Sequence, residues 1–420
     1  MMSGIVIVGA GHAGSQAAIA LRQGGYRDPI TLVGQEREIP YHRPPLSKAF
    51  LKGAAASPVP LRSSVAYSES AVSFLQGSAA AEIDPAAKIV KLSDERWLPY
   101  DKLILATGAT PRRLNCPGSD LSGIFTLRSV ADAHRIRSRM RDVREIVVVG
   151  GGFVGLEAAA TFAQLGKSVT VLEIGPRLLG RAVSPIISHH LLSRLTRMGL
   201  AVRLDTSAVG FLGSQKGIDA VLTDDGGRIA AQMVLIGIGA EPDCNLARQA
   251  GLHCDDGILV NSRLQTSNPD IYAIGDCARF HHWHAERSVR LESVQNATDQ
   301  ARHVAHTILG LEAAYRTVPW FWSDIADMKL QMVGLSHMAE RHMLSGTINE
   351  GTFSVYHFRG STLVAIDSVN SPTDHMLGRK MLEAGFSPTP DDVAAGKARS
   401  AFKEWGSGEE AALHSETTRS

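Results

Sequence analysis

One pattern occurs twice in this sequence, and it constrains the fold more than any other feature. Each copy has a short β-branched run, a turn with glycine at its first, third and sixth positions, and an alanine-rich segment typical of a helix. The turns are Gly9–Gly14 and Gly150–Gly155, and a further apolar run follows each of them, at Ile30–Val33 and Val169–Leu172. Strand, helix and strand at this spacing predict a parallel sheet. Two copies therefore predict two doubly wound domains, each able to bind a dinucleotide.

The glycine spacing has a physical reason in a nucleotide-binding turn. The first glycine allows the tight turn, the second lets a pyrophosphate approach backbone N–H groups, and the third lets the helix pack closely. A carboxylate after the following strand then binds ribose hydroxyls, and Glu36 and Glu173 are suitably placed. Because a carboxylate repels a 2′-phosphate, Glu173 favours NADH over NADPH. Arg177 and Arg181 follow closely and would act against this preference if they faced the ribose, but a surface position is the favoured interpretation of both.

Charge and composition narrow the possible functions. The 420 residues carry a formal net charge of +1, so the overall field of the protein does not attract nucleic acid or an anionic membrane. The start of the sequence has no basic segment and no apolar stretch long enough for a signal peptide or a membrane span. We therefore expect a cytoplasmic protein. Histidines at His12, His42 and His281–His284 lack a carboxylate or cysteine to complete a ligand set, so we expect no metal.

Several further strings resemble one family of flavoproteins. They are Pro40–Lys48 (PYHRPPLSK), Ala106–Gly108 (ATG), Thr126–Arg128 (TLR), Gly275–Asp276 (GD), Glu292–Ala297 (ESVQNA) and Pro319–Asp324 (PWFWSD). Their order resembles that in the FAD-dependent ferredoxin reductases, the putidaredoxin reductase-like enzymes of cytochrome P450 and ring-hydroxylating dioxygenase systems. The resemblance extends over nearly the whole chain, to Asn370, and several of these strings are idiosyncratic rather than general glycine patterns.

The resemblance implies an α/β fold of the glutathione-reductase type. Two Rossmann-type dinucleotide-binding domains and a C-terminal α+β domain are expected. The FAD-binding domain would be discontinuous (1–108 and 240–319), with the NADH-binding domain (109–239) inserted in it and the C-terminal domain at 320–405. The segment 406–420 is polar and rich in Glu and Ser, which predicts a flexible tail.

The C-terminal domain also has a pattern of its own. Apolar and polar residues alternate in segments such as Thr352–Phe358 and Thr362–Ser368. Alternation of this kind is typical of antiparallel strands with one buried face. We therefore expect an antiparallel sheet after about Trp320.

The resemblance also implies individual site residues. Lys48 would lie at the reactive edge of the flavin, and Glu157 would lie beside the nicotinamide and pair with Lys48; these are the candidate catalytic residues. The expected FAD-binding residues are Gly9, Gly11, Ala13, Gly14, Gln35, Glu36, Arg43, Lys48, Ala80, Thr107, Gly108, Arg128, Asp276, Val294 and Trp322. The expected NADH-binding residues are Gly150, Gly152, Val154, Gly155, Glu157, Glu173, Arg181 and Gly239.

Four of these residues have more specific implied roles. Arg128 would reach the FAD phosphates or the adenosine side, and Asp276 would bind the ribityl chain, since a carboxylate accepts hydrogen bonds from sugar hydroxyls. Val294 and Trp322 would contact the isoalloxazine, although Trp322 could instead belong to the core. A lysine at the flavin edge, such as Lys48, would stabilise the negative charge of a reduced flavin.

The sequence departs from the family pattern in two places. Gln35 stands where the family often has an acid, so ribose recognition would rest on Glu36 alone. Ile325 and Ala326 replace a glutamine and an aromatic residue, which puts in question the C-terminal cover of the flavin or the partner surface near it.

The implied function is transfer of hydride from NADH to FAD, followed by transfer of single electrons to a [2Fe–2S] ferredoxin. Such partners are usually acidic, so Arg290, Arg302 and Arg316 are candidates for a docking surface. The protein itself is expected to be a monomer or a weak dimer. Four scattered cysteines, with no CxxC and none before Cys116, argue against disulfide reductases and thiol peroxidases of this fold.

Two alternatives remain open on the sequence. Within enzymes, the chain could be a rubredoxin reductase or an NADH oxidase that forms peroxide. A different class is a redox-sensing interaction protein like apoptosis-inducing factor, which turns over slowly. The basic targeting segments and long insertions expected of that class are not evident in the sequence.

Overall fold

The computed structural model describes residues 3–311 and 314–417; residues 1–2, 312–313 and 418–420 lie outside it. Its helices are α1 His12–Gln23, α2 Ser64–Glu69, α3 Val130–Met140, α4 Phe153–Gln164, α5 Pro185–Arg197, α6 Asn245–Gln249, α7 Val294–Ile308, α8 Pro372–Ala384, α9 Pro390–Ala394 and α10 Ala398–Thr417. Its strands are β1 Gly4–Val8, β2 Ile30–Gly34, β3 Val72–Gln76, β4 Ala80–Asp84, β5 Ile89–Leu92, β6 Trp97–Leu105, β7 Ala109–Pro111, β8 Ile124–Thr126, β9 Glu145–Val149, β10 Ser168–Leu172, β11 Ala201–Arg203, β12 Ala208–Ser214, β13 Gly217–Thr223, β14 Arg228–Ala230, β15 Met233–Ile236, β16 Ala240–Pro242, β17 Ile258–Val260, β18 Ile271–Ala273, β19 Ala278–His282, β20 Arg287–Val289, β21 Trp320–Ile325, β22 Met328–Gly334, β23 Arg341–Thr347, β24 Thr352–Arg359 and β25 Thr362–Val369.

The first predicted parallel sheet is present and has the order β3-β2-β1-β6, with β18 on the far side of β6. Helices lie against such a sheet, so its central strands are apolar on both faces. Ile5, Ile7 and Leu32 are accordingly almost fully buried. The first half of β6 pairs instead with the antiparallel strands β5 and β4. The chain leaves this sheet after β6 and returns to it only with β18, more than 160 residues later.

The second parallel sheet lies between these two passages and has the order β11-β10-β9-β15-β8. Its strands fall between β7 and β16 in the sequence, and β7 and β16 pair with each other in antiparallel fashion. This short pair therefore joins the units built around the two parallel sheets. We propose that the domain boundaries lie here, since β7 begins at Ala109 and β16 at Ala240.

The third sheet is antiparallel, as predicted for the C-terminal region, and has the order β21-β22-β25-β24-β23. The predicted strands at 352–358 and 362–368 are β24 and β25. On one face, Ile366 and Tyr356 pack with Met381 of α8. On the other face, Phe353 and Val355 belong to the same core as Ile187 and Leu191 of α5. The C-terminal sheet thus packs directly onto the unit that contains the second parallel sheet.

The last helix extends into the segment from Gly406, for which a flexible tail is expected. Helix α10 begins at Ala398 and continues to Thr417, through most of that segment. Phe402 and Trp405 pack against Phe386, with ring centroids 5.3 Å from it in each case, and this aromatic contact anchors the first half of the helix. Within the described ranges, no helix is both long and apolar enough to cross a membrane.

Candidate active site

A cavity of about 740 Å³ lies where the three sheets come together. It is bordered by the turn before α1, the segment after β2, the 3-10 turn Pro44–Ser47, the first turns of α4 and α7, and strand β21. Its volume falls within the range of roughly 300–1,000 Å³ typical of ligand pockets. Elements of both parallel-sheet units and of the C-terminal sheet therefore contribute to one site.

The first glycine turn forms one end of this cavity. Gly9 has a φ of +108°, and a Cβ built on it would lie 2.1 Å from the carbonyl oxygen of Ala106 on the neighbouring strand connection. At Gly11, by contrast, no atom of the described chain lies within 4 Å of where a Cβ would be. The protein itself needs glycine at the first of these positions. At Gly11 the requirement comes from whatever approaches the backbone through the cavity.

The second glycine turn repeats this local geometry. Gly150 has a φ of +109°, and its Cβ would lie 2.4 Å from the carbonyl oxygen of Gly237. The nearest atom to a Cβ on Gly152 is the same oxygen at 3.7 Å, which is an ordinary contact distance. Gly14 and Gly155 are each pressed against the carbonyl of the first glycine in their turn, at 1.9 and 2.5 Å from a Cβ built there. The two turns are structurally equivalent.

The helices that follow these turns begin without a side-chain cap. The N-cap residues are Gly11 for α1 and Gly152 for α4, and no side chain accepts a hydrogen bond from their first N–H groups. The helices α3, α5 and α7 are instead capped by Ser129, Ser184 and Ser293. An uncapped N-terminus presents unpaired N–H groups and the positive end of the helix dipole, which together favour a bound phosphate.

Glu36 is held by side chains from the segment that follows it. Tyr41 Oη donates to one carboxylate oxygen at 2.5 Å, and Arg43 Nη2 donates to the other at 2.5 Å. Tyr41 Oη also accepts from the backbone N–H of Val130, and Arg43 donates to the carbonyl of Arg128. Burial and the hydrogen bond to Glu36 raise the pKa of Tyr41, so the phenol keeps its proton. The acid is thus fixed in place beside the cavity.

Arg128 and Asp276 form an ion pair across the cavity wall, with Nη2 and Oδ2 2.8 Å apart. Both residues line the cavity, together with Thr107, whose hydroxyl donates to the carbonyl of Asp243. The pair neutralises two charges that lie close together. It also presents a carboxylate oxygen and guanidinium N–H groups to one ligand, as sugar and phosphate groups require.

Lys48 and Glu157 form a second ion pair, as the resemblance implies. Lys48 Nζ lies 2.7 Å from Oε2 of Glu157 and also donates to the carbonyl of Pro44 at 3.1 Å. Glu157 is 7% exposed, and its carboxylate also accepts from the hydroxyls of Ser47 at 2.5 Å and Ser323 at 2.6 Å. A buried carboxylate is stable when donors of this kind replace water. The pair joins the segment after β2 to helix α4 at the cavity.

Glu173 has a different environment. Its carboxylate accepts from the backbone N–H of Gly151 at 2.6 Å and of Gly175 at 2.8 Å. The next residue, Ile174, is 75% exposed, and Val154 at the start of α4 is 44% exposed. The carboxylate is therefore anchored by backbone alone, on an open surface.

The predicted FAD-binding residues are largely brought together. All of them line the cavity except Gly14, which supports the turn from behind. Of the predicted NADH-binding residues, Val154 and Glu157 line it. The others, Gly150, Gly152, Gly155, Glu173, Arg181 and Gly239, do not line it; the three glycines Gly150, Gly152 and Gly155 belong to the second turn, and Glu173 accepts from the N–H of Gly151 within that turn. Arg181 is exposed, whereas Arg177 donates to the backbone carbonyls of Gly180 and Val183.

The core alternative for Trp322 and the departure at Ile325 are resolved by position. Trp322 is half-buried and lines the cavity, with its ring centroid 5.6 Å from that of Trp320. Ile325 is fully buried in the core and Ala326 forms the turn to β22 with a φ of +59°; neither lines the cavity. The departure therefore changes core packing rather than the cavity wall.

Two site residues were not found by sequence reasoning. Ser47 and Ser323 both donate to Glu157, and both lie inside strings that carried the resemblance. A cation such as Lys48 and a large aromatic residue such as Trp322 indicate a role at a flavin by residue type. A serine hydroxyl indicates a role only when its hydrogen-bond partner is known.

The cysteines offer no thiol chemistry among the described residues. All four are free, and Cys244 and Cys277 are buried. Burial raises the pKa of the Cys244 thiol to about 12, and it raises the pKa of Cys277 and Cys116 as well. Thiolates, the reactive form, are therefore disfavoured. Within the described ranges, no group of three or more His, Cys, Asp or Glu side chains could hold a metal ion.

The three candidate docking arginines differ in accessibility. Arg290 has only 11% of its side chain exposed and pairs with Glu292 and Asp256. Arg316 is exposed and lies over the ring of Trp283, 4.8 Å from its centroid. The side chain of Arg302 is 61% exposed, with Asp299 3.9 Å away. Arg302 is thus the freest of the three.

These features fit two nucleotides. Each uncapped helix follows a glycine turn with room for phosphate, and in each unit a carboxylate follows the next strand of the sheet, where it can bind a ribose. The fold and the site together define a flavoprotein oxidoreductase with separate flavin and nicotinamide units. The sequence matches the family model of the pyridine nucleotide-disulphide oxidoreductases over residues 3–301 and that of the reductase C-terminal domain over residues 320–400.

Individual relatives make the assignment narrower. Rhodocoxin reductase of Rhodococcus erythropolis is 41% identical over 391 residues, 93% of this chain and 92% of the relative. Rubredoxin-NAD(+) reductase of Pseudomonas putida is 39% identical over 371 residues, 88% of this chain and 96% of the relative. The crystal structure of the ferredoxin reductase for the CYP199A2 system from Rhodopseudomonas palustris has a TM-score of 0.93 and 37% identity, and the match covers 95% of this chain and all of that one. The chain belongs to the ferredoxin reductase family of FAD-dependent, NAD(P)H-using enzymes.

Proposed function

We propose that this protein is an NADH:ferredoxin reductase that supplies single electrons to a [2Fe–2S] ferredoxin of a cytochrome P450 or dioxygenase system. The observation that carries the proposal is the Lys48–Glu157 pair. Lys48 belongs to the wall of the cavity at the first glycine turn, and Glu157 belongs to the helix that starts at the second. The pair therefore stands where the reacting ends of the two nucleotides would meet.

FAD would lie in the cavity. The N–H groups after Gly11 would hold its pyrophosphate, Glu36 would bind the adenosine ribose, and Asp276 would bind the ribityl hydroxyls. Val294 and Trp322 would contact the ring system. When bound, FAD supplies the ability to accept hydride from NADH and to give up electrons singly.

NADH would bind over the second glycine turn. Glu173 already accepts two backbone N–H bonds, which fix its orientation and leave its remaining lone pairs for the 2′- and 3′-hydroxyls. A 2′-phosphate would meet a fixed negative charge here, which supports the preference for NADH. Val154 and Glu157 would then border the nicotinamide, since they extend from this turn to the cavity.

Lys48 would stabilise negative charge that develops at the ring edge it faces. Its ammonium has three N–H groups, and Glu157 and the Pro44 carbonyl accept two of them. The third is available to a ligand in the cavity that Lys48 lines. Positioning and preorganised charge of this kind are what hydride transfer asks of a protein.

A spectrophotometric experiment tests the proposal. Protein loaded with FAD is mixed with NADH, and reduction of cytochrome c is followed with and without an added [2Fe–2S] ferredoxin. A rate that depends on ferredoxin is the expected result. Equal rates without ferredoxin would indicate an oxidase, and absence of turnover would indicate a slow redox sensor.

Rubredoxin is the second candidate acceptor, because a relative at 39% identity is a rubredoxin-NAD(+) reductase. A parallel assay with rubredoxin in place of ferredoxin separates the two. A kcat/KM for ferredoxin at least tenfold above that for rubredoxin is expected. The reverse order would transfer the proposal to rubredoxin.

Two further properties are proposed from the same function. An enzyme that draws on NADH is expected in the cytoplasm, and cell fractionation tests this. We also expect a monomer or a weak dimer, which light scattering during size-exclusion chromatography measures directly.

A further inference from the structure

Glu157 is held by side chains from two separate parts of the fold, the segment at Ser47 and Lys48 and strand β21. Ser47 of the 3-10 turn and Lys48 both contact Oε2, whereas Ser323 of β21 donates to Oε1 at 2.6 Å. The proposed function gives roles to Lys48 and Glu157. Ser323 has no assigned role.

The contact between α4 and β21 is regular. Phe153 packs on Phe321 with ring centroids 4.7 Å apart, and one helical turn later Glu157 accepts from Ser323. Helix residues four apart share a face, as do strand residues two apart, so these two pairs lie side by side in one interface. Ile325, the next residue on this face of the strand, is fully buried in the adjoining core. The Ser323 hydroxyl is therefore held on both sides by packed apolar residues.

Burial makes this hydrogen bond consequential. Ser323 is fully buried and Glu157 is 7% exposed, so water is poorly placed to replace the hydroxyl. A carboxylate oxygen that loses its donor in such a site turns toward another donor or takes up a proton. Either response would disturb Oε2 and the ammonium of Lys48 that it holds.

We propose that Ser323 is a positioning residue for hydride transfer. Its hydroxyl orients Glu157, and Glu157 in turn holds Lys48 at the cavity, so that flavin reduction depends on a strand of the C-terminal sheet. This inference rests on the proposed function. It goes beyond that function because it links the third sheet to the nicotinamide side of the site, in addition to the contact that Trp322 makes with the cavity.

Three variants test the role of the hydroxyl. Ser323→Ala removes it and Ser323→Thr keeps it on a residue that strands accept well. Ser354→Ala is the matched control, since Ser354 is also fully buried in the same sheet but donates to Asp374 and shares a hydrogen bond with the hydroxyl of Ser368 instead. Stopped-flow reduction of the bound flavin by NADH gives the limiting rate and the NADH dissociation constant separately.

The expected result is a split between rate and affinity. Ser323→Ala should lower the limiting rate about tenfold, because displaced catalytic groups cost rate even at small distances. The NADH dissociation constant should change less than about twofold, Ser323→Thr should retain most of the rate, and Ser354→Ala should behave as the unmodified protein. Equal losses in Ser323→Ala and Ser354→Ala would overturn the proposal, because they would indicate general loosening of the sheet.

A double-mutant cycle with Glu157→Gln tests whether Ser323 acts through Glu157. If it does, Ser323→Ala should cost less than about twofold in the Glu157→Gln background, since coupled residues are not additive. A full tenfold loss in that background would overturn the proposal.

A measurement independent of activity completes the test. In protein with 13C-labelled glutamate carboxylates, the Glu157 resonance is assigned by its loss in Glu157→Gln. It should shift in Ser323→Ala and stay in place in Ser354→Ala; an unchanged resonance in Ser323→Ala would overturn the proposal. Absence of NADH-dependent flavin reduction in the unmodified protein would be a failure of the proposed function itself, recognisable because it precedes any substitution, and the positioning role would fall with it.

Discussion

The two glycine turns have the same local structure and different surroundings. Gly9 and Gly150 both have a positive φ. In each turn, the glycine at the sixth position packs against the carbonyl group of the glycine at the first position. Around the first turn, however, side chains from both parallel-sheet units and from the C-terminal sheet line a cavity. Tyr41 and Arg43 donate hydrogen bonds to the Glu36 carboxylate there. Around the second, Glu173 is anchored by backbone alone beside an Ile174 that is 75% exposed. We therefore expect the first turn to hold its ligand inside the cavity (the enclosed cradle) and the second to bind an exposed, exchanging ligand (the open cradle).

The largest expected effect comes from alanine at the second glycine of each turn. Gly11→Ala meets no described protein atom within 4 Å, so the protein should fold, with an unfolding midpoint close to that of the unmodified protein. FAD should bind about 100-fold more weakly, about 3 kcal/mol, because the methyl group occupies the approach of the pyrophosphate. Equilibrium titration of the FAD-free protein with FAD measures this.

The matched variant Gly152→Ala should keep FAD and lose affinity for NADH instead. Gly9→Ala is the control for a true steric requirement, since its Cβ would lie 2.1 Å from a backbone oxygen and the fold should suffer. Equal loss of FAD from Gly11→Ala and Gly152→Ala would break the comparison between the two cradles.

The next effect concerns the carboxylate of the open cradle. Glu173→Ala should raise the KM for NADH about 10- to 30-fold. This is the effect expected when hydrogen bonds to a charged acceptor that contribute about 1.5–2 kcal/mol to binding are lost. The KM for NADPH should change far less, because the carboxylate repels its 2′-phosphate. Steady-state kinetics with both nucleotides measures the ratio. Equal effects on the two would remove the argument for NADH.

A titratable residue distinguishes the enclosed cradle. His12 stands in the first turn of α1 where α4 has Phe153, and burial, followed by the nearby His42 and Arg43, lowers its pKa from 6.5 to about 4. The unfolded chain therefore binds more protons than the folded one between these values, and stability is lost as the pH falls from about 6.5 toward 4. His12→Phe should recover about 1–2 kcal/mol at pH 5 relative to pH 7 in FAD-free protein.

Urea unfolding at the two pH values measures this difference, with His189→Phe as the control because His189 is exposed. A His12→Phe protein with the same pH dependence as the unmodified one would show that this histidine does not titrate as described. The cradles would then differ in enclosure and not in electrostatics.

The smallest effect is expected at Arg181. This side chain is exposed, and exposed charges contribute at most about 1 kcal/mol and are screened by salt. Arg181→Ala should raise the KM for NADH about two- to threefold at low ionic strength, and the effect should fade at high salt. A tenfold effect that persists in salt would mean that the second cradle closes on its ligand.

Much of the fold could be predicted because its signals are local. Each of these signals indicates its element within about ten residues: the β-branched runs, the glycine turns and the alternating C-terminal strands. Strands β24 and β25 lie where they were predicted. Helix α10 has no local signal of this kind, because the ring contacts of Phe402 and Trp405 depend on Phe386 in a preceding segment.

Site residues could be predicted where the family resemblance assigns a role to them. Lys48, Asp276 and Trp322 were identified in this way, and all three line the cavity. The sequence did not identify the hydrogen bonds that Ser47 and Ser323 donate to Glu157, nor the one that Tyr41 donates to Glu36. Each depends on a partner that only the folded structure brings close. Arg290 was considered a docking residue, and its low exposure is a property of the folded surface.

The amino-acid sequence by itself determined that there are two phosphate-binding turns, because φ and backbone approach are set within a few residues by glycine. It also determined the family, through strings spread along the chain. Only the tertiary structure decided that the first turn borders a cavity and the second lies on an open surface, and that Glu157 on α4 is held both by the segment at Ser47 and Lys48 and by strand β21. Those properties arise from contacts between segments 110 to 166 residues apart, and no local pattern encodes such distances.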